Sequence, residues 1–174
     1  MRFAILDTEL GTVVLFARER HLSRLDLLPS SQGGVRESIG AEFPGAIESP
    51  GPFRAVTDLL GFYLKGDPVE FDVPVDLEGL TPFTALVLAQ TRKISYGKVA
   101  SYGNVASALG NGKAARAVGQ ALGRNPIPLV IPCHRVVKGD GTLGGFGLGA
   151  DVKARLLAKE GVSVPASRTS MMSS

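Results

Sequence analysis

The charge and the hydrophobic pattern of this 174-residue chain both change near residue 79. Residues 1–79 carry seven Lys and Arg against thirteen Asp and Glu, a net charge of −6, whereas residues 80–174 carry twelve against three, a net charge of +9. With 44% hydrophobic residues, a chain of this length can bury a core, as one domain or as two small ones. We therefore expect one domain at 1–79, a second at 80–162, and a flexible tail at 163–174, which is poor in core-forming residues.

The acidic first half has the pattern of a small α+β domain. Three apolar runs separated by short turns predict an antiparallel sheet, at Arg2–Leu6, Thr12–Ala17 and Leu22–Leu28. Apolar residues at helical spacing follow Pro52 and predict one helix. Segment 67–78 is acidic, contains two prolines and is expected to be a linker or an edge strand. Nothing in this half suggests chemistry, so it is predicted to be a scaffold.

The basic half is predicted to be mostly helical and to contain a helix-turn-helix. Thr81 has the features of a residue that starts a helix. Ser101 caps a second predicted helix, residues 102–109, and a glycine-rich turn leads into a third, residues 113–122. Two short helices joined by such a turn are typical of a helix-turn-helix.

The helix at 113–122 combines small side chains with positive charge. Its small residues include Ala114 and Ala115, and the basic residues in and beside it are Lys113, Arg116 and Arg124. A basic domain favours nucleic acid as the partner. A helix with little bulk suits the minor groove, whose readout is degenerate and depends on shape. Packing against another part of the protein explains the small residues equally well.

The chain has a single cysteine, Cys133, in the segment Ile131–Val136. One cysteine cannot form an internal disulfide, and with two histidines the chain lacks the ligands for a Cys/His metal cage. Cys133 is therefore a nucleophile or a packing residue. Pro132 stiffens the backbone, and positive charge or a base at His134 or Arg135 would lower the pKa of the thiol. Neighbours in an extended chain point to opposite faces, so we expect His134 to act across a bend or, preferably, through a bridging water.

Glu160 lies at the end of a predicted helix that Asp151 caps and Gly161 stops. A carboxylate in the last turn faces the negative end of the helix dipole, which is mildly unfavourable. A role in orienting an imidazole would explain that position. An ordinary solvated glutamate is the other interpretation, and the residues alone leave both open.

No stretch of the chain has the length of a membrane span, and the first residues lack a secretory pattern. We therefore expect a reducing, cytoplasmic location. Neither a redox cofactor nor a metal is implied by the sequence, so no cofactor is predicted.

Three segments in the second half form a specific combination: Pro132–Val136 (PCHRV), the preceding Gly123–Pro128 (GRNPIP), and Lys113–Gly119 (KAARAVG). Together they resemble the O6-alkylguanine-DNA alkyltransferase family, over residues 80–162. The resemblance implies DNA repair by a single, irreversible transfer of an alkyl group from O6-alkylguanine, with O4-alkylthymine as a second candidate, to a cysteine. Cys133 would accept the group, His134 would act as its base through a water, and Glu160 would hold the imidazole.

The resemblance also implies roles for other residues. Asn125 would stabilise the turn of the DNA-binding motif, Tyr102 would help to rotate the target nucleotide and contact the guanine, and Arg116 would fill the space left in the stack. The carbonyls of Cys133 and Val136 and the backbone amide of Gly147 would line the guanine pocket, with Phe146 nearby. The expected DNA contacts are Tyr102, Lys113, Ala114, Ala115, Arg116, Arg124 and Arg135. The implied partner is double-stranded DNA, bound in its minor groove by a monomer.

The chain departs from the family pattern at several positions, and two alternative functions stay open. The chain has no tryptophan, and Gly147 stands where some members have a serine, so the range of alkyl groups is undetermined. No zinc site is expected in the first half, which resembles the family only in general layout. One alternative is a protein that binds alkylated DNA without repairing it, which the intact Cys133 argues against. The other is a cysteine hydrolase, which would turn over.

Overall fold

A computed structural model of the chain describes residues 1–29 and 33–165. The chain divides into two compact units, and the first contains Met1–Leu80 together with Pro126–Val130. The second contains Thr81–Asn125 and, within the described residues, the chain from Ile131 to residue 165. The sequence did not predict that a short segment of the basic half belongs to the first unit. Its attachment is a backbone hydrogen bond of 2.9 Å, in which the Leu25 N–H donates to the Pro126 carbonyl.

The first unit is a four-stranded sheet with two helices. Strands β1 (Arg2–Thr8), β2 (Gly11–Arg18) and β3 (His21–Leu28) form the predicted antiparallel meander. A two-residue strand, β4 (Ile47–Glu48), adds to β1 in parallel, so the sheet is mixed and its order is β3-β2-β1-β4. The helices are α1 (Val35–Glu42) and α2 (Arg54–Leu64). Segment 67–78 contributes one isolated bridge, from Val75 to Leu22, and no strand.

A buried apolar cluster of this unit lies between the sheet and α1. Phe3, Val14 and Phe16 from the sheet pack with Ile39 of α1, and all four are buried. Apolar side chains at alternating positions of a strand share one face, which brings Val14 and Phe16 to the same side of β2. The predicted α+β character of the first half is confirmed.

The second unit is helical around a very small sheet. Its helices are α3 (Pro82–Thr91), α4 (Tyr102–Ala108), α5 (Ala115–Leu122) and α6 (Ala150–Lys159). Strands β5 (Ala100–Ser101) and β6 (Val136–Val137) pair in parallel. The predicted caps are present: the Thr84 N–H donates to Thr81 Oγ1 at 3.2 Å, and Ser101 forms a reciprocal capping box with Asn104. The predicted helical character of this half is confirmed.

Helices α4 and α5 form the predicted helix-turn-helix, with one difference at the start of α5. Residues Gly112–Ala114 form a 3-10 turn, so the α-helix begins at Ala115 rather than at Lys113. The cause is a tighter hydrogen bond, in which the Ala114 N–H donates to the Asn111 carbonyl at 3.0 Å. Lys113 therefore lies in the turn and is exposed.

Helix α6 begins at Ala150, two residues before the start that capping by Asp151 would give, so the predicted cap by Asp151 is wrong. Gly149 occupies the N-cap position with φ 97°, and Asp151 lies in the first turn, where a negative charge still favours the helix dipole. Glu160 is the C-cap, and Gly161 follows with φ 74°, as expected for a helix stop. Of the predicted tail, residues 163–165 have no regular secondary structure and the rest lie outside the described residues. No helix within the described ranges is long and apolar enough to cross a membrane.

Candidate active site

Cys133 lies in a short 3-10 turn, Cys133–Arg135, immediately before β6. The sequence favoured an extended segment, but the backbone bends: the Arg135 N–H donates to the Pro132 carbonyl at 2.9 Å. The turn buries the side chains of Cys133, His134 and Arg135, and Cys133 is 7% exposed. A thiol and an imidazole adjacent in sequence are thus held on a bent, buried backbone.

Asn125 connects the end of the helix-turn-helix to the thiol. Its Nδ2 donates to Cys133 Sγ at 3.0 Å and to the Ile131 carbonyl at 2.9 Å. Burial raises the pKa of the Cys133 thiol, and the Asn125 hydrogen bond and the charge of Lys153 oppose that rise. The site therefore holds a mainly protonated thiol that needs a base before it can attack.

His134 and Glu160 form a fully buried pair. His134 Nε2 lies 2.7 Å from Glu160 Oε1, and neither side chain is exposed. Burial lowers the pKa of His134 despite the neighbouring carboxylate, so the imidazole is neutral near pH 7. Burial alone would raise the pKa of Glu160, but hydrogen bonds from His134 and Arg135 hold it at about 2. Because Glu160 is ionised it accepts, and Nε2–H donates.

Arg135, predicted to contact DNA, is buried beside Glu160. Its side chain is buried, with Nε 2.9 Å from Glu160 Oε2 and Nη2 3.1 Å from Glu160 Oε1. Its Nη1 donates to the Ile94 carbonyl at 2.6 Å. A guanidinium that is buried and paired with a carboxylate is not exposed to phosphates, so its burial argues against the predicted DNA contact of Arg135. It also cannot supply net positive charge to the thiol.

Glu160 is therefore not an ordinary solvated glutamate. Besides the two side chains, the Gly97 N–H donates to Glu160 Oε2 at 3.0 Å. Gly97 has φ 71°, and a Cβ there would lie 3.2 Å from the Glu160 carbonyl oxygen, so this close approach favours glycine. The Tyr96 hydroxyl donates to the Lys159 carbonyl at 3.0 Å and fixes the same end of α6. The carboxylate is held from several sides.

A solvent-open pocket of about 430 Å³ lies beside the thiol, within the size range of small-molecule sites. Its lining residues are Tyr102, Arg116, Gly119, Gln120, Leu122, Gly123, Cys133, Gly145, Phe146 and Gly147. The pocket thus brings together five residues that the sequence assigned to the site. Val136 is not among them: its side chain is buried, and its carbonyl accepts from Lys153 Nζ at 2.6 Å.

Tyr102 and the glycine-rich loop form one wall of the pocket. The Tyr102 hydroxyl donates to the Gly145 carbonyl at 3.3 Å, and burial raises the pKa of Tyr102. Gly144 has φ 73°, and a Cβ there would lie 2.8 Å from the Tyr102 hydroxyl oxygen. The loop can pass the ring this closely only with glycine at that position.

The predicted DNA-contacting residues other than Arg135 lie on or near the helix-turn-helix. Lys113, Arg116 and Arg124 are exposed, while Ala114 and Ala115 are half-buried. The buried face of α5 consists of Val118, Ala121 and Leu122. Small residues therefore serve packing in part, because Ala121 belongs to this buried face. The exposed basic side chains remain available to a polyanion.

Lys153 is a site residue that sequence reasoning missed. Its side chain is completely buried, and its Nζ donates to the carbonyls of Val136 and Gly145 at 2.6 and 3.2 Å. Lys153 lies three and four residues before Leu156 and Leu157, so all three share the buried face of α6. A lysine on a buried helix face is rare, and this spacing could have identified it from the sequence. Among the described residues there is no group of three or more His, Cys, Asp or Glu side chains placed to hold a metal ion.

The fold and the site define a protein with a buried cysteine in a pocket beside a helix-turn-helix, and the comparisons with known proteins agree. Residues 82–162 match the 6-O-methylguanine DNA methyltransferase DNA-binding domain, and residues 1–77 match the ribonuclease-like domain of the same family. The chain belongs to the 6-O-methylguanine DNA methyltransferase family, which confirms the predicted resemblance.

Named relatives match over almost their full length. A methylated-DNA--protein-cysteine methyltransferase of Mycolicibacterium paratuberculosis is 37% identical over 97% of this chain and 98% of the relative. One of Methanosarcina acetivorans is 35% identical over 92% of this chain and 99% of the relative. The crystal structure of Mycobacterium tuberculosis OGT in complex with DNA has a TM-score of 0.79 and 35% identity, covering 92% of each chain. Both halves of the chain are thus similar to known members.

Proposed function

We propose that this protein repairs alkylated DNA directly, by moving the alkyl group of O6-alkylguanine onto Cys133 Sγ. The observation that carries the proposal is a buried thiol, held by Asn125 and lining a pocket, next to a buried His134–Glu160 pair. The activity for which the relatives are named supports the same reaction here, since the match spans nearly the whole chain. O4-alkylthymine is a second candidate substrate.

The proton of Cys133 leaves through His134. The thiol is mainly protonated because burial raises its pKa, and the imidazole is neutral because burial lowers its pKa. Glu160 occupies Nε2, so Nδ1 is the accepting atom, with one water between it and Sγ. The Glu160 carboxylate then stabilises the imidazolium that forms.

The transfer step exchanges one bond for another. Sγ forms a bond to the alkyl carbon while the bond between that carbon and O6 breaks. The electron pair of the broken bond goes to the guanine, which takes up the proton from His134. The products are a thioether and an unmodified guanine. Cys133 is the only cysteine of the chain, and no second thiol can take the alkyl group away, so each molecule acts once.

The helix-turn-helix of α4 and α5 supplies the DNA-binding surface. The exposed Lys113 and Arg124 contact phosphates, and the half-buried Ala114 and Ala115 permit close approach to the minor groove. A stacked base cannot reach a buried thiol, so the target nucleotide is rotated into the pocket.

Two pocket residues serve the rotated nucleotide. Tyr102 contacts the base, and the exposed Arg116 fills the gap in the stack. The described residues of a single chain contain a helix-turn-helix and a complete set of site residues, so we propose that the protein acts as a monomer. We also propose that it acts in the cytoplasm, as expected from the sequence.

The test is a titration of the protein with duplex DNA that contains O6-methylguanine, followed by intact mass and base analysis. One methyl group should appear on Cys133, and one guanine should be restored per protein molecule. Cys133→Ala should abolish transfer and retain DNA binding, because the basic surface is separate from the thiol. Multiple turnover, or binding by the wild type without transfer, would contradict the proposal, and the latter result would favour the non-repairing alternative.

A further inference from the structure

Helix α6 carries a lysine whose amine is completely enclosed. Lys153 has no exposed surface, and its Nζ donates to the Val136 carbonyl at 2.6 Å and to the Gly145 carbonyl at 3.2 Å. Its Nζ also lies 5.9 Å from the centroid of the Tyr102 ring. A buried amine is costly unless its hydrogen bonds are satisfied, and these contacts satisfy it with neutral groups. The described contacts therefore leave its charge without an ionised partner in the resting site.

The carbonyls that Lys153 binds belong to two different parts of the site. Val136 begins β6, directly after the turn that carries Cys133, and Gly145 lies in the loop that lines the pocket. The Gly145 carbonyl also accepts from the Tyr102 hydroxyl, at 3.3 Å. One amine thus ties α6, the thiol-bearing turn and the pocket wall to each other.

Lys153 also differs from the other charged groups near the thiol. The titratable and charged groups around Cys133 are His134 and Arg135 in its own turn, Glu160 and Lys153 from α6, Tyr102 from α4 and Arg116 from α5. His134 is neutral, Glu160 neutralises Arg135, and Arg116 is exposed to solvent. Of these groups, Lys153 is the buried cation whose charge is not cancelled by a carboxylate.

The interaction between Lys153 and Cys133 works in both directions. Burial lowers the pKa of Lys153 to about 8, while a Cys133 thiolate raises it. Conversely, the Lys153 charge opposes the rise that burial imposes on the pKa of Cys133. The form in which both groups are charged, an ammonium beside a thiolate, is the form that contains the attacking sulfur.

We propose that Lys153 is a positioning residue for alkyl transfer: it fixes the thiol-bearing turn against the pocket loop, and its ammonium stabilises the thiolate of Cys133. The role in transfer rests on the proposed function, whereas the effect on the thiolate does not. His134 removes the proton, and Lys153 favours the charge that remains on sulfur.

The test measures the rate at which iodoacetamide alkylates Cys133, as a function of pH, in Lys153→Met, Lys153→Arg and the wild type. Only the thiolate displaces iodide, so the rate profile reports the pKa of the thiol, and the single cysteine makes the signal unambiguous. Lys153→Met should raise the apparent pKa by about one unit, which lowers the rate at pH 7 about tenfold. Lys153→Arg keeps the charge and should stay near the wild type. The exposed Lys93→Met is the matched control and should have no effect.

A purely structural lysine would give a different result. Lys153→Met would then lower the rate equally at every pH without moving the apparent pKa, and that outcome would overturn the proposal. If circular dichroism shows that neither variant folds, the titration of Lys153 is measured by NMR in wild-type protein with isotope-labelled lysine. Alkylation of Cys133 by iodoacetamide should shift the Lys153 titration to lower pH, because the thiolate is lost, and an unchanged titration would overturn the proposal.

These measurements are independent of the repair activity. Failure to accept methyl groups from DNA would remove the proposed function and leave the iodoacetamide profile intact. A normal repair reaction with an unshifted profile in Lys153→Met would remove only the role of Lys153.

Discussion

His134 and Glu160 are joined by a hydrogen bond of 2.7 Å between Nε2 and Oε1, and both side chains are completely buried. The bond fixes the tautomer, since the ionised carboxylate can only accept. It therefore leaves Nδ1 as the basic nitrogen, and it places the Glu160 carboxylate where its negative charge stabilises the imidazolium. A general base oriented in this way is expected to act on the adjacent thiol.

Glu160→Gln should slow alkyl transfer by on the order of 100-fold or more, because the amide keeps the shape but not the charge that stabilises the imidazolium. The measurement is the single-turnover rate on duplex DNA that contains O6-methylguanine, with folding checked by circular dichroism. Asp151→Asn is the matched control: it makes the same change in an exposed carboxylate at the start of α6 and should leave the rate unchanged. Equal rates in Glu160→Gln and the wild type would remove the orienting role.

The Glu160 carboxylate should make the free energy of unfolding depend on pH in the acidic range. The folded-state pKa of Glu160, about 2, is below its ordinary value of 4.5, so its contribution is complete above pH 4.5 and is lost as pH falls toward 2. This lowering of the Glu160 pKa corresponds to a contribution of about 3 kcal/mol to the free energy of unfolding. The difference in unfolding free energy between the wild type and Glu160→Gln, measured in urea, should shrink across this interval. A constant difference from pH 7 to pH 2 would contradict the assignment.

Arg135→Met tests the predicted DNA contact of Arg135. Removal of the guanidinium leaves the buried Glu160 carboxylate with one fewer partner, so stability should fall by about 3–5 kcal/mol. The salt dependence of DNA binding should not change, since the side chain is 2% exposed. Arg155→Met on the exposed side of α6 should cost far less stability. A salt slope reduced by one in Arg135→Met would restore the DNA contact.

The parts of the fold that the sequence predicted depend on short-range rules. Thr81 and Ser101 cap their helices because the groups they bind are three residues away, which a sequence pattern records directly. Lys153, in contrast, meets the Val136 carbonyl 17 residues away, and no local rule encodes that contact. The burial of Arg135 against Glu160 could not be predicted for a related reason: a position next to Cys133 in the sequence does not determine which way the side chain points.

Gly144→Ala should slow alkyl transfer. Its φ of 73° disfavours a side chain, and the added Cβ would lie 2.8 Å from the Tyr102 hydroxyl oxygen, so the ring or the loop must move. We expect a loss of at least tenfold in the single-turnover rate, as small displacements of positioning groups commonly cost more. Gly139→Ala, in the same loop but with open space around its Cβ, should be unaffected. Equal rates in the two variants would mean that Tyr102 need not be held there.

Arg116→Ala separates rotation of the nucleotide from chemistry. The exposed side chain lines the pocket, and a side chain that fills the vacated stack matters only when a base leaves a duplex. The variant should therefore lose much more rate on duplex DNA than on free O6-benzylguanine, which needs no rotation. Lys113→Ala, which removes a neighbouring positive charge from the 3-10 turn, is the matched control. It should weaken binding to any duplex and reduce the salt slope by about one, with the rate on the free base unchanged. Equal losses on duplex and free base in Arg116→Ala would place that residue in support of the pocket instead.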